Sequence, residues 1–285
     1  MTLPIVDAAL PFRKIFHPTD FSADSHTALI HALKLALSVK AELTMMHIDP
    51  DVGRADFEDF PRIRPILEQW KILPAQSTQQ QVAEMGLSIR KARARAKNPT
   101  TGFLEYLATH PADLLVMATH QYEGLARWQH QVIAEPVARD SHTPTLFVPA
   151  HVEGFAVKET GRTKLRRVLI PVSDKPNPQA AVDITAQLAL ALGCESLTGV
   201  LVHVGNDSAL HSIRYPTGKG LLWHTMTCHG NIVDVILGMG ADFDVDLIVM
   251  TTEGHHSLLD MMRGSTMERV LRGARCPLLA LPAPH

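Results

Sequence analysis

Short apolar runs alternate with longer stretches of helical period along this chain, and the whole alternation occurs twice. In the first half, runs at Lys14–His17, Glu42–Ile48, Leu87–Ala94, Leu114–Ala118 and Thr145–Val148 predict five strands. Between the first two, "TALIHALKLALS" returns an apolar residue every three to four positions, which predicts a helix over Ser22–Ser38. Strands separated by helices argue for a parallel sheet with helices on its faces, because a parallel pair needs a crossover long enough to hold one.

The second half repeats the first. Residues 113–150 align without a gap on 246–283, with about 13 of 38 positions identical. The matches include an Asp opening the strand (Asp113, Asp246), a Glu-x-Val-x-Arg helix face and a closing Pro-x-Leu-x-x-Pro-Ala. "RKIFHPTD" at 13–20 answers to "RRVLIPVS" at 166–173. Two domains follow, 1–152 and 165–285, joined by the polar "HVEGFAVKETGRTK" of 151–164. Copy two is shorter. Only about sixteen residues separate Val204 from Gly220, where copy one carries "PRIRPILEQWKILPAQSTQQQVAEMG", so copy two is expected to lack a helix there.

Composition changes little. At 285 residues, 46% hydrophobic and 20% charged, the chain has material for two cores and no signature of disorder. A net charge of -2 gives no bulk attraction to nucleic acid or anionic membrane. "MTLPIVDAALPFRKIF" lacks the basic start and apolar run of a signal peptide, and no run reaches a membrane span. With three widely spaced cysteines, Cys194, Cys228 and Cys276, the expectation is a cytoplasmic protein with reduced thiols.

In open sheets of this kind ligands sit beyond the carboxyl ends of the strands, where strand order reverses. The loops at that rim carry the candidate chemistry. "KIFHPTDFSADSHTALIHAL", "LTMMHID" and "HGNIVDVIL" together resemble the universal stress protein family over roughly 13–150 and 166–283. The resemblance implies two tandem doubly wound α/β domains of the adenine-nucleotide alpha-hydrolase-like type. Each would be a five-stranded, mostly parallel sheet flanked by helices, and the two would pair through their last strands as an intramolecular pseudo-dimer. A further homodimer is left open.

Some members of that family bind ATP through Gly-x-x-Gly, nine residues, then Gly-Ser/Thr. In copy two this pattern falls on Thr251, Gly254, Gly264 and Ser265, followed by Thr266, with only the first glycine absent. In copy one it falls on Ala118, Gln121, Gln131 and Val132, and is lost. The adenosine side is reversed. Copy one keeps Pro18, Asp20 and Ile48, whereas copy two keeps Pro171 and Val204 but has Ser173 at the acidic place and Asp174 one residue late. The resemblance implies an adenine nucleotide (ATP, ADP or AMP, with Mg) in the C-terminal domain and a structural role for the first.

The physics of "RGSTMERVL" admits two readings. Glycine lets backbone amides approach an anion, a neighbouring hydroxyl adds a donor, and the helix N-terminus adds dipole and unpaired N–H groups. Yet Ser265-x-x-Glu268 is also a capping box, which explains the serine by helix stability alone. Asp20 and Ser22 likewise precede a helix and could cap it. The readings stand as a nucleotide-binding switch, a ligand-free interaction scaffold, and a metal-responsive or weakly hydrolytic variant.

Other chemistry is thin. "HTMTCH" places His224, Met226 and Cys228 on one face of a strand beside His229, with His255 and His256 on a facing loop, in a spacing that fits no zinc motif. No nucleophile elbow, Walker lysine or His-Glu-x-x-His occurs, so the expectation is a protein without enzymatic activity. "SIRKARARAK" is basic at alternate positions without aromatic interleaving, and reads as a solvated strand edge rather than an RNA surface.

Overall fold

A computed structural model describes residues 10–49, 56–119, 133–205, 210, 212–252 and 266–283. Contacts divide the chain near residue 162, with Pro11–Arg162 forming one compact unit and Thr163 onward the core of the other.

The first unit holds strands β1 (Lys14–Pro18), β2 (Glu42–Asp49), β3 (Ser88–Arg95), β4 (Leu114–Thr119) and β5 (Thr145–Pro149). They lie in the order β3-β2-β1-β4-β5, parallel throughout. Helices α1 (Ala23–Val39), α2 (Ile63–Gln69), α3 (Gln79–Glu84), α4 (Pro99–Thr109) and α5 (Ala134–Ser141) make the crossovers. The second unit repeats the scheme with β6 (Arg167–Val172), β7 (Leu197–Val204), β8 (Leu221–Cys228), β9 (Leu247–Thr252) and β10 (Leu278–Pro282), in the order β10-β9-β6-β7-β8, also parallel. Its helices are α6 (Gln179–Ala191), α7 (Ile232–Asp242) and α8 (Thr266–Gly273). Between β7 and β8 no α-helix occurs among the described residues, which accounts for the shorter second copy.

The repeated aspartate has a physical reason. Asp113 accepts the backbone N–H groups of Arg13 and Lys14 on one carboxylate oxygen, at 2.8 Å each. Asp246 does the same for Arg166 and Arg167, at 2.7 and 2.9 Å. Each carboxylate thereby fixes where the first strand enters its sheet. Order reverses between β1 and β4 in one unit and between β6 and β9 in the other, which sets the rim where a ligand would sit.

The polar segment after β5 is not a free linker. Phe155 and Ala156 are buried to 1% exposure against the first unit. His31, on α1, donates Nδ1–H to the Thr27 carbonyl at 2.9 Å, which leaves Nε2 to accept the Ala156 N–H at 3.3 Å. The Phe155 ring meets His31 edge-on, 4.7 Å between centroids. Trp70 donates its indole N–H to the Lys158 carbonyl at 2.8 Å and covers Gly161, whose φ is +64°. Residues 151–162 form a strap on the first unit, so the first unit ends about ten residues beyond the sequence-based boundary at 152.

The basic edge strand is neutralised locally. On β3, Arg93 donates through Nε and Nη2 to Asp49 at 2.9 and 2.7 Å, and Arg90 lies 3.4 Å from Glu42. Two of the strand's four cations, Arg90 and Arg93, are thus held in ion pairs within the sheet.

Candidate functional site

At the carboxyl end of β1 the chain must leave the sheet and start α1 within a few residues. Ser22 caps the helix, accepting the Ser25 N–H at 3.1 Å. Asp20 is therefore released from capping. Its Oδ1 accepts the Ser22 N–H at 2.9 Å in a local turn, while the residue stays exposed to the rim. Thr19 Oγ1 accepts both the Phe21 N–H at 3.1 Å and the Ser25 hydroxyl at 2.9 Å. Phe21 takes a left-handed φ of 64° and stacks on His47, 4.3 Å between ring centroids.

Beneath this turn lies a buried polar chain. His17 is fully enclosed and donates Nδ1–H to the Val116 carbonyl at 2.8 Å, leaving Nε2 3.4 Å from the Ser25 hydroxyl. Burial lowers its pKa from 6.5 to about 4, so it is neutral at pH 7. On β2, His47 donates Nδ1–H to the Thr19 carbonyl at 2.7 Å and turns Nε2 to Asp49 Oδ1 at 3.2 Å. Burial alone would push the Asp49 carboxyl up, but the Arg93 guanidinium and His47 override it and hold it below the usual carboxylate range.

The register carries Ile48 to the same rim. Pro18 pairs with Met46, and Thr19 N–H donates to the Met46 carbonyl at 2.8 Å, so Ile48 stands two residues past the end of β1. Gly102 in α4 makes room, since a Cβ there would lie 2.6 Å from Ile48 Cδ1. Together Pro18, Asp20, His47, Ile48, Ala118 and Ala134 line one cavity of about 220 Å³. Its walls are mainly apolar, with Thr19, Asp20, Ser25 and Glu135 as polar groups, the composition expected of a small-molecule cleft. The volume falls just under the roughly 300–1,000 Å³ usual for such clefts, so the enclosed part suits one compact moiety.

The second unit places Pro171 and Val204 at equivalent points. Pro171 pairs with Val202 and Val172 with His203, matching Pro18 with Met46 one unit earlier. His203 donates Nδ1–H to the Val172 carbonyl at 2.9 Å, the counterpart of His47 and Thr19. Ser173, in place of Asp20, spends its hydroxyl on the Lys175 carbonyl at 2.8 Å, while Asp174 is exposed. Thr251 is half-buried at the end of β9 and Thr266 opens α8. Gly254, Gly264 and Ser265 lie outside the described residues, as do Gln121, Gln131 and Val132 of copy one. Glu268 is 1% exposed and forms an ion pair with Arg272 one turn along α8.

The metal candidates are spread out. His224 and Cys228 sit on β8 and His229 just after it, with both histidines exposed, while His255 and His256 fall outside the described residues. Among the described residues no three of His, Cys, Asp and Glu come close enough to hold an ion.

Of the residues that line the cavity, sequence reasoning names Pro18, Asp20 and Ile48 and does not name Thr19, Ser25 and His47. His17, fully buried, could have been noticed from its place inside an apolar strand. A family model described as the universal stress protein family matches residues 11–149 and 207–282. A universal stress protein from Methanocaldococcus jannaschii is 28% identical over 140 residues, 48% of this chain and 82% of its own. The crystal structure of a universal stress protein from Archaeoglobus fulgidus superposes with a TM-score of 0.63 at 17% identity, covering 94% of this chain and 96% of that one. A functionally unknown protein from Pseudomonas aeruginosa gives a TM-score of 0.61 at 13% identity, covering 96% and 93%.

Proposed function

We propose that this chain, which belongs to the universal stress protein family, is a regulatory protein that binds an adenine nucleotide without turning it over, its nucleoside part seated at the rim of the first unit. The observation that carries the reading is the cavity itself. Pro18, Asp20 and Ile48, the three positions where the family resemblance puts base and sugar contacts, open onto one mainly apolar cleft. Ile48 and Ala118 offer flat apolar surface for a purine, and the exposed Asp20 carboxylate can accept from a ribose hydroxyl. Phosphates would extend from the cleft toward solvent, accompanied by Mg²⁺. Cytosolic action suits a chain in which no described helix is long and apolar enough to cross a membrane.

A second nucleotide site in the C-terminal unit is favoured by one specific observation. Pro171 and Val204 hold the same register as Pro18 and Ile48, and His203 repeats the hydrogen bond of His47. There Gly254, Gly264 and Ser265 would take the phosphates, with Thr251, Thr266, Ser173 and Asp174 around them. Urea unfolding with and without Mg-ATP tests the reading. Ligand at 100 times its Kd adds about 2.7 kcal/mol to the unit that binds it. A wild-type chain indifferent to millimolar ATP, ADP and AMP would overturn the nucleotide assignment and leave an interaction scaffold.

A further inference from the structure

We propose that a groove beside the β1–α1 turn is a second small-molecule site, for a carboxylate carrying an apolar body. The groove lies between the start of α1, α2 and the strap residue Lys158, and has a volume of about 360 Å³. Phe21, Ile30 and Ile66 form its apolar wall, and His26 and Lys158 its polar end.

His26 marks the place. Its Nδ1 is buried and has no hydrogen-bond partner among the described residues. A buried polar atom without a partner is costly, and a ligand oxygen against it removes that cost. Burial and then the charge of Lys158 lower the His26 pKa, so the ring is neutral at pH 7 and can offer its single N–H at Nδ1. Lys158 supplies the positive charge that an anion needs. Its backbone is fixed by the Trp70 indole, which donates to the Lys158 carbonyl at 2.8 Å.

The first turn of α1, a helix of 17 residues, adds the partial positive charge of its N–H groups. A carboxylate at that turn, Asp24, accepts the His151 N–H at 3.4 Å. One donor, one ammonium and a helix start would suit any small anion. The three apolar side chains behind them select one with a hydrocarbon part.

Phe21 links the groove to the nucleoside cleft, because its ring stacks on His47, which lines that cleft. A guest against Phe21 would therefore touch the element that shapes the other site.

Isothermal titration of the full chain at pH 7 with octanoate, 1-octanol and inorganic phosphate tests the assignment. Octanoate should bind saturably at one site per chain, at least tenfold tighter than either the alcohol or phosphate. Lys158→Met should weaken octanoate at least fivefold. Gln69→Trp, at an exposed position on the groove's rim, should abolish binding by filling it, with the far-ultraviolet spectrum unchanged. No saturable heat with octanoate, equal affinity for octanol, tighter binding of phosphate, or octanoate binding unchanged in both variants would each overturn it.

Discussion

Acid should loosen the first unit through two histidines that the fold keeps neutral. His17 and His31 are each fully buried, and burial lowers each pKa from 6.5 to about 4. A lowered folded-state pKa means that the unfolded chain binds the proton more readily. Stability from these groups is therefore intact above about pH 6.5 and is lost as pH falls toward 4. For a shift of that size each histidine removes about 2 kcal/mol by pH 5 and about 3 kcal/mol below pH 4, and near pH 5 contributes a slope of about 1.2 kcal/mol per pH unit. Protonating His31 Nε2 also takes away the acceptor of the Ala156 N–H, so the strap should be the first part to open. The assay is urea unfolding of the wild type and of His31→Phe from pH 7.5 to 4.5. The variant loses both backbone hydrogen bonds of the ring, to the Thr27 carbonyl and from the Ala156 N–H, a constant cost of about 1–3 kcal/mol. Its stability should fall less steeply between pH 6 and 4.5, by about one proton's worth. An unchanged slope would show that His31 takes up no proton on unfolding, and the burial argument would be wrong.

Gly161→Ala should destabilise the first unit by about 2 kcal/mol or more, because an L-residue is held in a left-handed conformation and its Cβ meets Trp70 Cδ2 at 2.4 Å; urea unfolding reads it. Gly199→Ala should displace Trp223, whose Cζ3 would lie 2.3 Å from the new Cβ, and break the indole bond to the Pro216 carbonyl, seen as a red shift in emission. Arg93→Met should cost about 1–3 kcal/mol, between an exposed and a buried pair, because Asp49 is left enclosed with half its partners. Arg90→Met, which breaks an exposed pair, should cost under about 1 kcal/mol in the same denaturation series.

Periodicity and internal repetition were enough to read the strands and their parallel order, because apolar spacing reports which face is buried. Boundaries moved by a residue or so. Ser22, at the start of the expected helix, is its cap, and β3 runs Ser88–Arg95 rather than Leu87–Ala94. The strap was missed because "HVEGFAVKETGRTK" looks polar in composition, whereas Phe155, Ala156 and Gly161 do the packing. Asp20 was ambiguous in sequence, since either it or Ser22 could cap; a hydrogen bond from the Ser25 N–H gives that task to Ser22. His47 left no signal of its own, because its role depends on the Thr19 carbonyl across the strand pair and on Asp49 two residues ahead.

The account rests most on the first unit's rim as the seat of an adenine nucleoside. Calorimetric titration of AMP into the wild type, Asp20→Ala and Gly264→Val tests it directly. The account predicts that Asp20→Ala weakens AMP about tenfold, as loss of a charge-assisted hydrogen bond worth roughly 1.5 kcal/mol implies, while the Gly264→Val chain keeps that site. AMP binding untouched by Asp20→Ala and abolished by Gly264→Val would contradict it and move the nucleotide to the second unit.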